Sequence, residues 1–310
     1  MSVSASPVPA PAEARTALIS AIGCYVIWGF LPLLFMGMAA QGFTAPEILA
    51  QRAVWAVLFA GVLVLMSRQW GQVKRVLGTP STLIWLAGST ALIGLNWGVY
   101  VWATTHGATL EASLGYYINP LLNMAAGALL FREKISRGGK IAIGLAAIGV
   151  LIQALALGRP PWISIILALT FCAYGVIRKR VPADAQTGLF VECLLLLPLG
   201  LIFLTWLQLS GPGAIGLSSP ANLAWAMVNG PATVLPLALF AWSARRLPLS
   251  AMGFIQFIAP TLQFACGVWA GEAFTPLRAV SFVFIWAGAA VFAAAAVQRA
   301  RAARAAPQAE

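Results

Sequence analysis

The chain has 310 residues, 61% of them hydrophobic and 9% charged, with a mean hydropathy of +0.88. That composition excludes an ordinary soluble domain and places the chain in lipid. The net charge of +11 does not make a nucleic-acid-binding surface, because the 19 Lys and Arg are scattered between apolar runs and not gathered on one face.

Residues 1–16 are rich in Ala, Pro and Ser and lack a basic leader, so they are expected to be a disordered tail, not a cleaved signal peptide. Apolar runs bounded by Gly, Pro or charge then predict helical spans at 17–39, 46–67, 82–104, 108–131 and 140–157. A second set follows at 160–178, 187–207, 221–243, 249–271 and 276–297, and residues 298–310 form a basic tail. Ten crossings of about 20 residues each use roughly 200 residues and leave no room for a sizeable soluble domain.

Orientation follows from the cations, since cytoplasmic loops retain Lys and Arg. With both termini in the cytoplasm, the inner loops and tails hold Arg15, Arg68, Lys74, Arg75, Arg132, Lys134, Arg137, Lys140, Arg178, Lys179, Arg180, Arg245, Arg246, Arg299, Arg301 and Arg304. Only Arg159 and Arg278 fall outside, and Arg52 lies within the second span. The basic side also suits anionic membrane lipid.

Polar residues inside apolar spans need partners or a wet cavity. Arg52 and Glu111 enter spans two and four from the same side to similar depth, so they are expected to form an ion pair that locks the helices or gates a path. Span four carries Glu111, Gly115, Asn119 and Asn123 at four-residue spacing, which makes one polar stripe. Span three carries Asn96, Tyr100 and Thr104 with Trp97 beside them. Asn229, Thr233 and Pro236 mark span eight, and Gln256, Pro260, Gln263 and Gly267 share a face of span nine. A lone buried Asn or Gln serves equally as an interhelical hydrogen bond, but the stripes together point to a central cavity. The substrate is therefore expected near mid-membrane among Asn96, Trp97, Tyr100, Tyr116, Asn119, Asn229, Gln256 and Gln263. Amides without a strong charge favour a neutral or zwitterionic solute over a polyanion. Glu192 is expected at the cytoplasmic interface or paired with the cluster at 178–180, with proton carriage in coupled transport as the alternative role, and His106 is expected at the opposite interface.

The four cysteines lie singly inside apolar runs, and one His leaves little for a metal site. No metal or cofactor is expected. Without a P-loop or a nucleophile and base pair, neither ATP-driven transport nor catalysis is indicated.

The stretch SLGYYINPLLNMAAGALLFREKIS matches GFIQFIAPTLQFACGVWAGEAFT. Each has Ile two residues before a proline, Pro120 or Pro260, and a Glu further on, Glu133 or Glu272. Trp28-Gly29 likewise corresponds to Tyr174-Gly175. Repeats of five crossings each, 17–158 and 159–297, have opposite orientations in the membrane. The expected fold is an all-α membrane protein of ten transmembrane helices in two inverted five-helix repeats. That architecture underlies many secondary transporters, with helix breaks such as Pro120 and Pro260 near the site. A homodimer is compatible with this reading.

The stretches from Asn96 (NWGVYVWATTHGATLEASLGYYINPLLN) and Leu235 (LPLALFAWSARRLPLSAMGFIQFIAPTLQF), with QRAVWA at Gln51, resemble the RarD group of EamA-type permeases in the drug/metabolite transporter superfamily. The resemblance spans 17–297. It implies an inner-membrane permease, and the group's traditional name, chloramphenicol-sensitive protein, points to drugs without fixing a substrate. Its motif positions carried over are Arg52, Asn96, Trp97, Tyr100, Glu111, Tyr116, Asn119, Pro120, Gln256 and Pro260. The group often has His before the span-two Arg, where this chain has Gln51. The function expected is alternating-access transport of a small polar or amphipathic metabolite or drug, coupled to protons or run as exchange; the alternative is an intramembrane enzyme or a lipid-handling or sensor protein that moves no solute.

Overall fold

The computed structural model describes residues 11–131, 136–244, 246–247, 252 and 255–305. Eleven α-helices are described there: α1 Pro11–Ala40, α2 Ala45–Met66, α3 Trp70–Leu77, α4 Pro80–Thr105, α5 Thr109–Phe131 and α6 Arg137–Leu157, then α7 Trp162–Arg180, α8 Ala185–Ser210, α9 Pro220–Ala244, α10 Ile258–Trp269 and α11 Pro276–Ala305. Every regular element among the described residues is helical, as lipid demands of a chain that must satisfy its backbone within each segment.

Seven helices, α1, α2, α4, α6, α8, α9 and α11, are long and apolar enough to cross a membrane. α5 and α7 lie over the expected fourth and sixth spans, and α10 over 258–269 of the expected 249–271, whose beginning falls largely outside the described residues. Starts and stops follow local chemistry. Thr44 accepts the Glu47 N–H at the start of α2, Ser136 accepts the Gly139 N–H at the start of α6, and Gly158 ends α6 at φ +65°. The outward faces are strongly apolar: Met66, Leu155 and Leu209 are each at least 75% exposed, which only a hydrocarbon solvent tolerates at this density.

Two segments expected as tails are partly helical. α1 begins at Pro11, where proline suits a first turn, and Glu13 accepts from Arg246 Nε at 2.8 Å, tying the start of α1 to the residues just after α9. α11 runs on through the Ala- and Arg-rich end to Ala305, because these are strong helix formers and cations favour a helix C-terminus. The charges expected at Arg132, Lys134 and Arg245, together with Glu133, lie outside the described residues.

The helices pair widely across the sequence. α6 packs on α11, α2 on α8 and α9, and α7 on α4 and α5, while α1 packs on α9 and α10. α10 also meets α5, and α4 meets α8. Glycines permit the closest approaches. A Cβ on Gly149 of α6 would meet Ile285 at 2.6 Å and the Ser281 carbonyl at 2.9 Å, and one on Gly288 of α11 would meet the Ala142 carbonyl at 3.0 Å.

The short α3 carries Lys74 and Arg75 on the Lys- and Arg-rich end of the bundle. Gln69, just before it, contacts Gln186 and Thr187 at the start of α8, and Gln72 accepts the Asp184 N–H at 3.1 Å. At the opposite end a 3₁₀ turn, Ile215–Leu217, sits against the start of α2, where Glu47 accepts the Gly216 N–H at 2.9 Å.

Candidate functional site

Three polar centres lie one above another through the bundle. At the end opposite the basic loops, Glu111 pairs with Arg159 at 2.9 Å and accepts the Ile163 N–H at 3.0 Å. The expected pair between Glu111 and Arg52 is not formed. Glu111 lies in the first turn of α5 whereas Arg52 is seven residues into α2, and α5 packs on α7 and α10 while α2 packs on α8 and α9, so neither depth nor packing brings the two side chains together. Glu111 instead serves the unpaired N–H groups at the start of α7, where the helix dipole also favours a carboxylate. Glu272 does the same for α5, accepting from Thr109 and Leu110 at 2.6 and 2.9 Å.

Arg52 is 4% exposed and lies in the middle of the bundle. Its Nε donates to Thr233 of α9 at 3.0 Å, and the guanidinium lies 4.2 Å from the centre of the Trp97 ring and 5.7 Å from that of Phe35. Tyr100 packs edge-on to both Phe35 and Tyr116. The Tyr116 hydroxyl donates to Asn96 Oδ1 at 3.0 Å, and the Asn96 amide donates to the Leu167 carbonyl and Thr170 of α7, both at 2.9 Å. Four expected residues, Asn96, Trp97, Tyr100 and Tyr116, thus gather around Arg52. Arg52 Nη1 and the Tyr100 hydroxyl are buried without a hydrogen-bond partner.

The other expected residues flank this cluster. Asn229 is 1% exposed and donates to Met38 Sδ and the Ala226 carbonyl, leaving its own carbonyl oxygen without a partner. Gln263 donates to the Trp28 carbonyl at 3.2 Å, joining α10 to α1, and Asn119 is buried with its Oδ1 unpartnered. Gln256 is half-buried in the turn before α10. The side chain of Asn123 lies outside the described residues.

The two prolines are not equivalent breaks. Pro120 lies inside the continuous α5, whereas Pro260 is in the first turn of α10, where a missing N–H removes no intrahelical bond.

Toward the basic end, Glu192 is 1% exposed. It accepts from Ser89 at 2.6 Å and from the Tyr174 hydroxyl at 3.1 Å, and Arg178 stands 3.7 Å away. Pairing with Arg178 is one of the two expected arrangements, but Ser89 and Tyr174 as partners left no sequence signal, because lone hydroxyls are common in membrane helices. His106 stacks on Trp102 at the opposite end, 4.7 Å between ring centres. A separate apolar cavity of about 360 Å³ between α2, α4 and α8 is lined by residues such as Leu49, Gly94, Leu196 and Phe203, and no ionisable side chain lines it.

A bundle of apolar-faced helices around buried, incompletely satisfied polar groups defines a multi-pass membrane protein of the transporter class. The comparisons make the assignment narrower. No protein-family model matches the sequence. An uncharacterised transporter of Vibrio cholerae is 39% identical over 96% of this chain and 98% of its own. The RarD protein of Salmonella typhi is 40% identical over 90% of this chain and 95% of its own. A solved crystal structure shares the fold at a TM-score of 0.59, with 19% identity over 92% of this chain and 98% of that one. The chain belongs to the RarD group of permeases.

Proposed function

We propose that this chain is a secondary transporter of the inner membrane that moves a small metabolite by alternating access between two inverted five-helix repeats, with the basic end in the cytoplasm. The observation that carries the reading is a contact set that maps onto itself when the two halves are exchanged. Gly149 faces Ser281 and Ile285, and Gly288 faces Ala142 and Ala146. Adding 139 to the number of each first-half residue turns either contact into the other. In the same way α2 on α9 mirrors α8 on α4, and α1 on α10 mirrors α7 on α5. The loop after α2 docks on the start of α8, and the loop after α8 docks on the start of α2. A duplicated unit in opposite orientations has two nearly equal ways to pack, and that is the physical basis of alternating access.

Arg52 and Glu192 each stand seven residues after the first residue of α2 and α8, which pack together. They are opposite charges at repeat-related positions, one toward each membrane face. Glu192 is the proposed proton-coupling group: protonation removes its hold on Arg178 and so changes the contacts of α8 with α4 and α7. The central cluster takes the substrate.

The test uses purified protein in liposomes preloaded with a defined mixture of polar metabolites and chloramphenicol. Mass spectrometry follows redistribution under a pH gradient of either sign and under exchange. Saturable, protein-dependent movement of at least one solute is expected. Movement no greater than in empty liposomes under all three conditions would sink the proposal.

A further inference from the structure

We infer that the transported solute carries a single carboxylate on an aromatic or otherwise flat apolar body, and that the carboxylate is received by Arg52. This rests on the transporter reading above and names the substrate class of the same cluster.

Three other described arginines hold carboxylates: Arg159 with Glu111, Arg178 with Glu192 and Arg246 with Glu13, and their side chains are 48, 14 and 29% exposed. Arg52 is more buried than any of them, and among the described residues it holds none. That is the reverse of what solvation demands. A guanidinium taken from water is strongly destabilised unless a counter-charge and hydrogen bonds replace its hydration. Trp97 offsets part of this through its ring face, 4.2 Å from the guanidinium. Thr233 takes Nε. Nη1 remains a buried donor with no acceptor.

A guanidinium is a planar fork of five donors whose geometry matches a carboxylate. The Tyr100 hydroxyl supplies a second buried donor without a partner, and both Tyr100 and Arg52 rest on Phe35. Trp97, Phe35 and Tyr116 make flat apolar walls around them. Among the described residues the cluster holds a single cation, Arg52, which balances one negative charge, since Arg178 is already held by Glu192. A dianion would leave a buried charge uncompensated, and a neutral solute would leave Arg52 as it stands.

Phenylacetate is the probe, with its neutral isostere phenylacetamide and with inorganic phosphate as an anion lacking an apolar body. The melting temperature of the purified full chain in detergent is followed against each. Phenylacetate should raise it saturably, with half-saturation at least tenfold below that of either control. Arg52→Gln should abolish the response, Arg52→Lys should retain a weakened one, and Arg159→Gln should leave it unchanged. Without ligand, Arg52→Met should melt no lower than the wild type, because an apolar side chain removes an uncompensated charge; this keeps loss of binding distinct from loss of fold. An equal response to phenylacetamide, an unchanged response in Arg52→Gln, or no response of the wild type to phenylacetate would each overturn the inference. Those outcomes leave the liposome result untouched. Conversely, Arg52-dependent binding without any solute movement would remove the transporter reading alone.

Discussion

Glu111 joins an ion pair to a helix cap, and the two contributions separate experimentally. Arg159 is 48% exposed, so Arg159→Ala should change unfolding free energy by no more than about 1 kcal/mol, the usual worth of a surface pair. Glu111→Ala strands the buried Ile163 N–H and should cost about 1–3 kcal/mol. Unfolding in mixed micelles measures both, and equal losses would mean the cap is worth nothing. Glu192 is the residue where coupling and substrate movement should come apart. Glu192→Gln keeps a hydrogen-bonding side chain between Ser89 and Tyr174 but cannot exchange a proton. It should abolish accumulation driven by a pH gradient while leaving solute exchange within about twofold of wild type, as the proton no longer biases the two packings. Retained gradient-driven accumulation would assign the coupling elsewhere.

At the scale of elements, the α6 and α11 pair shows how small residues set helix spacing where no hydrophobic force draws helices together. Gly149 lies against the Ser281 carbonyl and the Ile285 side chain, and Gly288 against the Ala142 carbonyl, so in each case a backbone atom of the facing helix stands in the way of a larger residue. Gly149→Val should destabilise by about 1–3 kcal/mol, the range for overpacking. Gly144 is on the same helix with open space around it, and Gly144→Val should be tolerated. Thermal melts followed by size-exclusion chromatography compare them, and equal behaviour of the two variants would contradict the close approach.

For the whole molecule, the proposed orientation rests on the cation distribution. In a chain freed of its four cysteines, Gln72→Cys should resist a membrane-impermeant thiol reagent in intact cells. Ser218→Cys, at the opposite end beside the 3₁₀ turn, should react. Labelling of position 72 from outside would invert or break the proposed topology. The alternating-access reading also requires that the ends open in turn, so labelling at the two ends should respond in opposite senses to a transported solute.

The sequence by itself determined where the helices run and which faces turn inward. A membrane leaves the backbone few alternatives to helix, and apolar length is a local property of the chain. Asn96, Tyr100 and Thr104 read as an inward stripe and all three are buried, as are Glu111, Gly115 and Asn119. Motif resemblance was also enough to reach the RarD group. Only the tertiary structure decided who meets whom. Depth along a helix is written in residue spacing, but the neighbour at that depth depends on the packing of helices far apart in the chain. Similar depth is what residue spacing predicts for Arg52 and Glu111, but Glu111 lies in a first turn and the two face different helices, so Glu111 takes Arg159 and a helix start while Arg52 turns onto Trp97 and Thr233. The docking of the residues around α3 on α8 and the place of Pro260 in a first turn were hidden for the same reason. Arg52, a buried cation with no counter-charge among the described residues, comes into view only when the helices around it have been placed.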